Sequence, residues 1–189
     1  YIMNADGSHA KALTEDGKSS SAVWSKDGKS IFFTNYEKGT AQIFRMDLTT
    51  CETEQVTDYE LGIGSPVISP DERYIAFTAE VYPDLGADAK ANKARMEKKE
   101  QGPVQAHIAD KLLYRHWTSY NDGRCNHLIL FDTQTKTYKD LTPGNYSLIF
   151  VVGGGITYQF SPDSKEICFV SNHDEHQEAS TNADLWTVS

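Results

Sequence analysis

The sequence has no long apolar run, few cysteines and too little base to balance its acid, and each shortage removes a class of protein. No stretch approaches the roughly 18 consecutive apolar residues of a membrane-spanning helix, so no membrane span is expected. The three cysteines, Cys51, Cys125 and Cys168, lie far apart. An odd number excludes a complete disulfide framework but leaves room for one pair. No Cys-x-x-Cys or Cys/His spacing suits a metal site, and neither metal nor cofactor is expected. The 18 Lys and Arg face 27 Asp and Glu, a net charge of -9. An acidic surface repels phosphate backbones, so nucleic acid is not an expected partner. Missing too are a G-x-S-x-G nucleophile turn and the strand–helix alternation of a parallel sheet. The nearest approach, Gly62-Ile63-Gly64-Ser65-Pro66, has its serine in the wrong place. Gly153-Gly154-Gly155 lacks the Lys-Ser/Thr of a phosphate loop and leads into a strand, so it reads as a connection.

What remains is a globular composition, with 39% hydrophobic and 24% charged residues. Aromatics make up 11%, with ten Tyr, a lean toward strand formers. Within it a repeat stands out. Val23-Trp24-Ser25-Lys26-Asp27-Gly28-Lys29, Val67-Ile68-Ser69-Pro70-Asp71-Glu72-Arg73 and Gln159-Phe160-Ser161-Pro162-Asp163-Ser164-Lys165 align, and each runs on into apolar-x-Phe. Ser-Pro-Asp-x-Lys is turn chemistry, with Pro presetting φ and the Asp carboxylate closing the turn. Alternating apolar residues on either side make two short antiparallel strands. A second hairpin follows at Ala41–Asp47 with Glu54–Thr57, and again at Leu128–Asp132 with Tyr138–Leu141. Tyr1–Gly7 with Lys11–Thr14 reads as the same second hairpin without its first half.

Four short strands per unit of about forty residues are the pattern of a β-propeller blade. Ser25 and Ser69 are 44 positions apart, and Ser69 and Ser161 are 92 apart with no further Ser-Pro-Asp turn between them. The longer gap reads as one blade carrying an insertion, with two blades, one degenerate, as the alternative. The expected fold is all-β: a partial β-propeller of about three to four four-stranded antiparallel blades. Residues 1–18 would end one blade, 19–60 form a full blade, 61–144 a blade with an insertion at about 81–126, and 145–189 a blade lacking its last strand. Tyr1 falls inside a repeat, so the chain is expected to be cut from a longer one. Its terminal blades should then expose edges that favour self-association.

The insertion has a composition of its own. Asp88 to Glu100 is rich in Ala, Lys and Glu with no β-branched residue, Gly or Pro, which predicts a surface helix or a mobile loop ended by Gly102-Pro103. Leu113 to Tyr120 alternates as a strand, and Asn121-Asp122-Gly123 predicts the hairpin turn after it. Arg115, His116 and Trp117 are the candidate peptide-binding residues: Arg for a carboxylate or carbonyl, Trp for apolar contact. Alternation would set His116 opposite the other two; the plainer reading packs one face on the blade and leaves the other to solvent. His173-Asp174-Glu175-His176-Gln177-Glu178 reads as a solvated loop, Glu97 to Glu100 as a solvated helix face.

The Ser-Pro-Asp turns with apolar-x-Phe resemble the TolB-like propeller repeat. Lys111-Leu112-Leu113-Tyr114-Arg115-His116-Trp117, then Asp122-Gly123, then His127-Leu128-Ile129-Leu130-Phe131-Asp132, resembles the N-terminal propeller of prolyl oligopeptidase-family serine peptidases, nearest the bacterial dipeptidyl peptidase and acylaminoacyl-peptidase group. The resemblance implies a non-catalytic propeller that gates and positions peptide substrates for a missing C-terminal α/β-hydrolase domain, in a periplasmic or secreted protein. No catalytic residue is carried over. The alternative is a TolB-like propeller serving as a protein-binding module with no hydrolase attached.

Overall fold

The computed structural model describes the chain except residues 37–38, 105, 110–111, 113, 117 and 149–156, and of residues 116 and 178 the backbone alone. Two compact units result, Tyr1–Gly62 and Ile63–Ser189. The first holds one antiparallel sheet, β1 (Ser19–Trp24), β2 (Ser30–Asn35), β3 (Gln42–Asp47) and β4 (Thr53–Gln55), in that order. Every residue of β2 is buried. Ile31, Phe33 and Met46 form its core, with Leu13, Phe44 and Leu48 against them. Before β1, the hairpin read at Tyr1–Thr14 is reduced to a single bridge, Ile2↔Lys11.

The second unit runs β5 (Gly64–Ile68), β6 (Tyr74–Val81), α1 (Ala89–Glu100), β7 (Arg115–His116), β8 (Ser119–Tyr120), β9 (Cys125–Asp132) and β10 (Thr137–Asp140). It ends with β11 (Tyr158–Phe160), β12 (Ile167–Ser171) and β13 (Asp184–Val188). One sheet is ordered β5-β6-β9-β10, another β11-β12-β13, and β7-β8 stand apart. The two larger sheets share a core of Val67, Ala76, Leu128, Leu141, Leu148, Tyr158, Phe160, Ile167 and Phe169. Burying such side chains contributes about 1.5–3 kcal/mol each before chain entropy is subtracted. In every sheet among the described residues the strands pair in sequence order, without the crossing between sheets of a Greek-key sandwich.

The three repeated turns share one hydrogen-bond pattern. The Ser hydroxyl donates to the Asp two residues on: Ser25 to Asp27 at 2.7 Å, Ser69 to Asp71 at 2.6 Å, Ser161 to Asp163 at 2.7 Å. The same hydroxyl accepts the amide five residues on, from Ser30, Tyr74 and Glu166, at 2.9, 2.9 and 3.0 Å. The Asp carboxylate also accepts the amides of Lys29, Arg73 and Lys165. These bonds hold all three carboxyls below the usual range, the Lys29 amide foremost at Asp27 and the Ser hydroxyl foremost at Asp71 and Asp163. The residue after each Asp is left-handed: Gly28 at φ 69°, Glu72 at 63° and Ser164 at 62°. Glycine suits that position because it has no Cβ to clash.

A second turn recurs as well. Asp47 accepts the amides of Thr49 and Thr50 at 2.7 and 3.0 Å, and Asp132 those of Gln134 and Thr135 at 2.8 and 3.1 Å. Just beyond, buried Thr57 and Thr142 accept the amides of Ile43 and Leu128, each at 2.9 Å. The strands next to the Ser turns carry matching bulges, at Ser21 and Ser65, both left-handed at φ 52° and 45°. The Ser65 carbonyl accepts the hydroxyl of buried Tyr158, whose burial raises its pKa.

The strand read from Leu113 to Tyr120 is corrected by the structure. Arg115 pairs with Tyr120 and His116 with Ser119, so the chain reverses between β7 and β8, ahead of Asn121-Asp122-Gly123. Alternation over eight residues marks a half-buried strand only where a sheet covers one face. Here no third strand joins β7 and β8 among the described residues. Asn121-Asp122-Gly123 still turns the chain, with Asn121 Oδ1 accepting the Gly123 amide at 2.8 Å, but it leads into β9.

Candidate functional site

The insertion leaves and returns at one paired position, Val81↔Cys125. Its first part is a helix, α1, with almost no apolar stripe, so it is held by polar contacts. Asp88 caps it by accepting the Ala91 amide at 3.0 Å, while Lys98 and Lys99 lie at the negative end of its dipole. Asn92 is fully buried. Its Oδ1 accepts the Tyr82 amide at 2.7 Å, and its Nδ2 donates to the Gly86 and Asp88 carbonyls at 3.0 and 2.8 Å. Arg95 makes a forked pair with Asp84, both bonds 2.7 Å, and so holds that carboxyl below its ordinary pKa. Arg95 and Lys99 also sit over the Tyr82 ring, 4.7 and 4.9 Å from its centre. Lys99 donates to the Asp122 carbonyl at 2.7 Å, and Arg124 pairs with Glu80 on β6 at 3.1 Å. The run Glu97 to Glu100 is thus partly engaged, through Lys99.

Beyond the helix, the chain presents apolar side chains to solvent. Val104, Ile108 and Leu112, spaced four apart, are 67%, 87% and 68% exposed, and Tyr114 and Tyr120 are about half exposed. The His107 ring stacks on Tyr120 with centres 4.0 Å apart and planes 7° from parallel. His107, Ile108, Leu112, Tyr114 and Tyr120 line a shallow depression of about 560 Å³. Arg115 follows the lining residue Tyr114 in the chain, is exposed, and pairs through its backbone with Tyr120, but it is not itself among the lining residues. The depression offers apolar and aromatic surface, with the exposed Arg115 next to Tyr114 in the chain, which suits an extended peptide.

Of the three sequence candidates, Arg115 is exposed on β7, His116 pairs through its backbone with Ser119, and Trp117 lies outside the described residues. His107, Ile108 and Leu112 escaped the sequence reading. The four-residue spacing of Val104, Ile108 and Leu112 is legible in the sequence, but it falls after Gly102-Pro103, where no element is expected. Gly153-Gly154-Gly155 also lies outside the described residues. His173 to Glu178 lies in the connection between β12 and β13, where the His173 ring stacks on Trp186, centres 4.1 Å apart, and meets the Tyr146 ring at a tilt, centres 4.0 Å apart. Among the described residues no three His, Cys, Asp or Glu side chains converge as metal ligands, and all three cysteines are free. Among the described residues no helix is long and apolar enough to cross a membrane.

The class of fold that these sheets of sequential antiparallel strands resemble is the TolB-like propeller. TolB from Acinetobacter baumannii superposes over 98% of this chain and 33% of its own with a TM-score of 0.55 at 18% identity. An acylaminoacyl peptidase of Pyrococcus horikoshii does so over 99% of this chain and 25% of its own, at 0.59 and 17%. In sequence, dipeptidyl-peptidase 5 of Porphyromonas gingivalis is 28% identical over 98% of this chain and 27% of its own length. The chain thus spans about a quarter of that relative. No family model matches it. The chain resembles the TolB-like propeller portion of prolyl oligopeptidase-family peptidases.

Proposed function

We propose that this chain is the non-catalytic propeller portion of a serine exopeptidase, of the dipeptidyl peptidase or acylaminoacyl-peptidase kind. It would gate and position peptide substrates for an α/β-hydrolase domain elsewhere in the parent protein. The observation that carries this is the likeness to dipeptidyl-peptidase 5, which runs along 98% of the chain, the insertion included. In this reading 1–18 ends one blade, 19–60 is a full blade, 61–144 a blade with the insertion and 145–189 a blade lacking its last strand, and the parent works in the periplasm or outside the cell. The insertion meets the substrate or the hydrolase domain, with Arg115 pairing a carboxylate or carbonyl, and His116 and Trp117 adding contact.

The test is the parent protein assayed on dipeptidyl and acyl-aminoacyl chromogenic substrates. Hydrolysis of either class is expected, and Arg115→Ala should raise KM about tenfold with kcat unchanged, since uniform binding is what it would remove. A folded parent that cleaves neither class would overturn the proposal. The second reading, a protein-binding module without a hydrolase, is favoured by the likeness to TolB at a TM-score of 0.55. The gene beyond Ser189 separates them. About two hundred residues with strand–helix alternation and G-x-S-x-G support the peptidase, and further blades alone support the module.

A further inference from the structure

His127 is fully buried at the foot of the insertion, two residues into β9. Its Nδ1 lies 2.7 Å from Asp140 Oδ2 on β10, and its Nε2 lies 2.9 Å from the carbonyl oxygen of Gly144. An ionised carboxylate and a carbonyl can only accept, so with Asp140 ionised both ring nitrogens must carry protons. The other unit holds the uncharged counterpart. Gln42 precedes Asp47 by the five positions that separate His127 from Asp132, the two Asp residues making the same turn. Gln42 Nε2 donates to the Tyr59 carbonyl at 2.7 Å, two residues past Thr57, as His127 does to Gly144, two past Thr142. The same backbone grip is made by a permanent amide in one sheet and by a titratable ring in the other.

We propose that His127 is a pH-sensitive clamp: its imidazolium ties the segment 141–148 to β9, and loss of one proton releases Gly144. The remaining proton stays on Nδ1, facing the carboxylate, which is the stronger acceptor. The Nε2 lone pair then faces the Gly144 carbonyl, and that contact turns repulsive. The segment concerned carries buried Leu148 into the core shared by the two sheets, and Leu148 N donates to the Asn126 carbonyl at 2.7 Å. Among the described residues the groups facing the ring are few. Asp140 faces it from β10 and the Cys125 thiol from β9 itself, and the Tyr146 phenol from the crossing segment has its ring centre 6.4 Å away. From the loop before α1, Gly86 packs on Asp140 and brings no charge. Burial works against the cation, and the Asp140 carboxylate, helped by Cys125 and the Gly144 carbonyl, outweighs it, raising the His127 pKa to about 9. The sign follows: the clamp's contribution is complete below the ordinary His pKa and is lost as pH rises through about 9.

The experiment is NMR of the whole chain between pH 6 and 10.5, following the ring 15N signals of His127 and the methyl signals of Leu148. The expected result is an imidazolium at pH 7.5, with ring and Leu148 methyls changing at one common midpoint. His127→Gln, which should grip Gly144 as Gln42 grips Tyr59, removes that midpoint from the Leu148 signals. Asp140→Asn moves the ring midpoint down by about 2 pH units. A neutral ring at pH 7.5, its Nδ1 accepting from a protonated Asp140, overturns the proposal. So does a Leu148 transition that persists unchanged in His127→Gln. Should His127→Gln fail to fold, the ring state and the Asp140→Asn shift still decide.

Discussion

Ser69→Ala tests whether the repeated turn is held by its hydroxyl or merely decorated by it. Ser69 is 2% exposed, and its Oγ does two things at once: it accepts the Tyr74 amide at 2.9 Å and donates to Asp71 at 2.6 Å. Alanine removes both and leaves little room for water to replace them. Stranding the half-buried Tyr74 amide and losing the bond to a carboxylate together cost about 2–3 kcal/mol. For a unit of this size each kcal/mol shifts Tm by roughly 3–5 °C, so Tm should fall by about 6–15 °C. Urea unfolding followed by circular dichroism reads the midpoint at constant slope, and Ser69→Cys, which keeps a weak donor, should recover part of the loss. A loss under about 0.5 kcal/mol, the range of a neutral surface substitution, would refute the reasoning and return the turn's stability to Pro70 and the backbone alone.

The left-handed position after each turn Asp gives an opposed pair: Glu72→Gly should stabilise by up to about 1 kcal/mol and Gly28→Ala destabilise by a similar amount, both read by thermal unfolding. Asn92→Ala strands the Tyr82 amide and unfastens α1, so trypsin cleavage within the helix should rise about thirtyfold, the equivalent of about 2 kcal/mol, while the sheets stay folded. An unchanged cleavage rate would show that Arg95 and Lys99 suffice. The turn carboxylates titrate below the usual range, so their contribution is present above the ordinary Asp pKa and is lost as pH falls through their lowered values. Asp71→Asn should therefore flatten the acid limb of stability against pH measured by urea unfolding.

Hairpins were legible because their causes are local. Ser, Asp and a left-handed residue at fixed offsets close each turn through bonds spanning five residues at most, and the side-chain alternation around them has period two whatever lies beyond. The helix was legible for the same reason, since thirteen residues without a β-branched side chain, begun by Asp88 and followed by Gly102-Pro103, leave little else to form. Alternation from Leu113 to Tyr120 predicts one strand where the chain forms the short hairpin β7–β8, because alternation marks a strand only under cover and cover is not a local property. His107, stacked on Tyr120 thirteen positions away, had no local sign of its partner.

By itself, then, the order of residues determined where this chain turns, which segments extend, that one segment coils, and that no nucleophile turn is present. What those elements do to one another was set by long-range packing. It brought Val81 beside Cys125 across the whole insertion, buried Asn92 under an otherwise polar helix, and set His127 between a carboxylate and a carbonyl. The physical reason is range: turn and helix bonds are satisfied within a few residues, whereas burial and charge depend on neighbours that the chain supplies from far along its length.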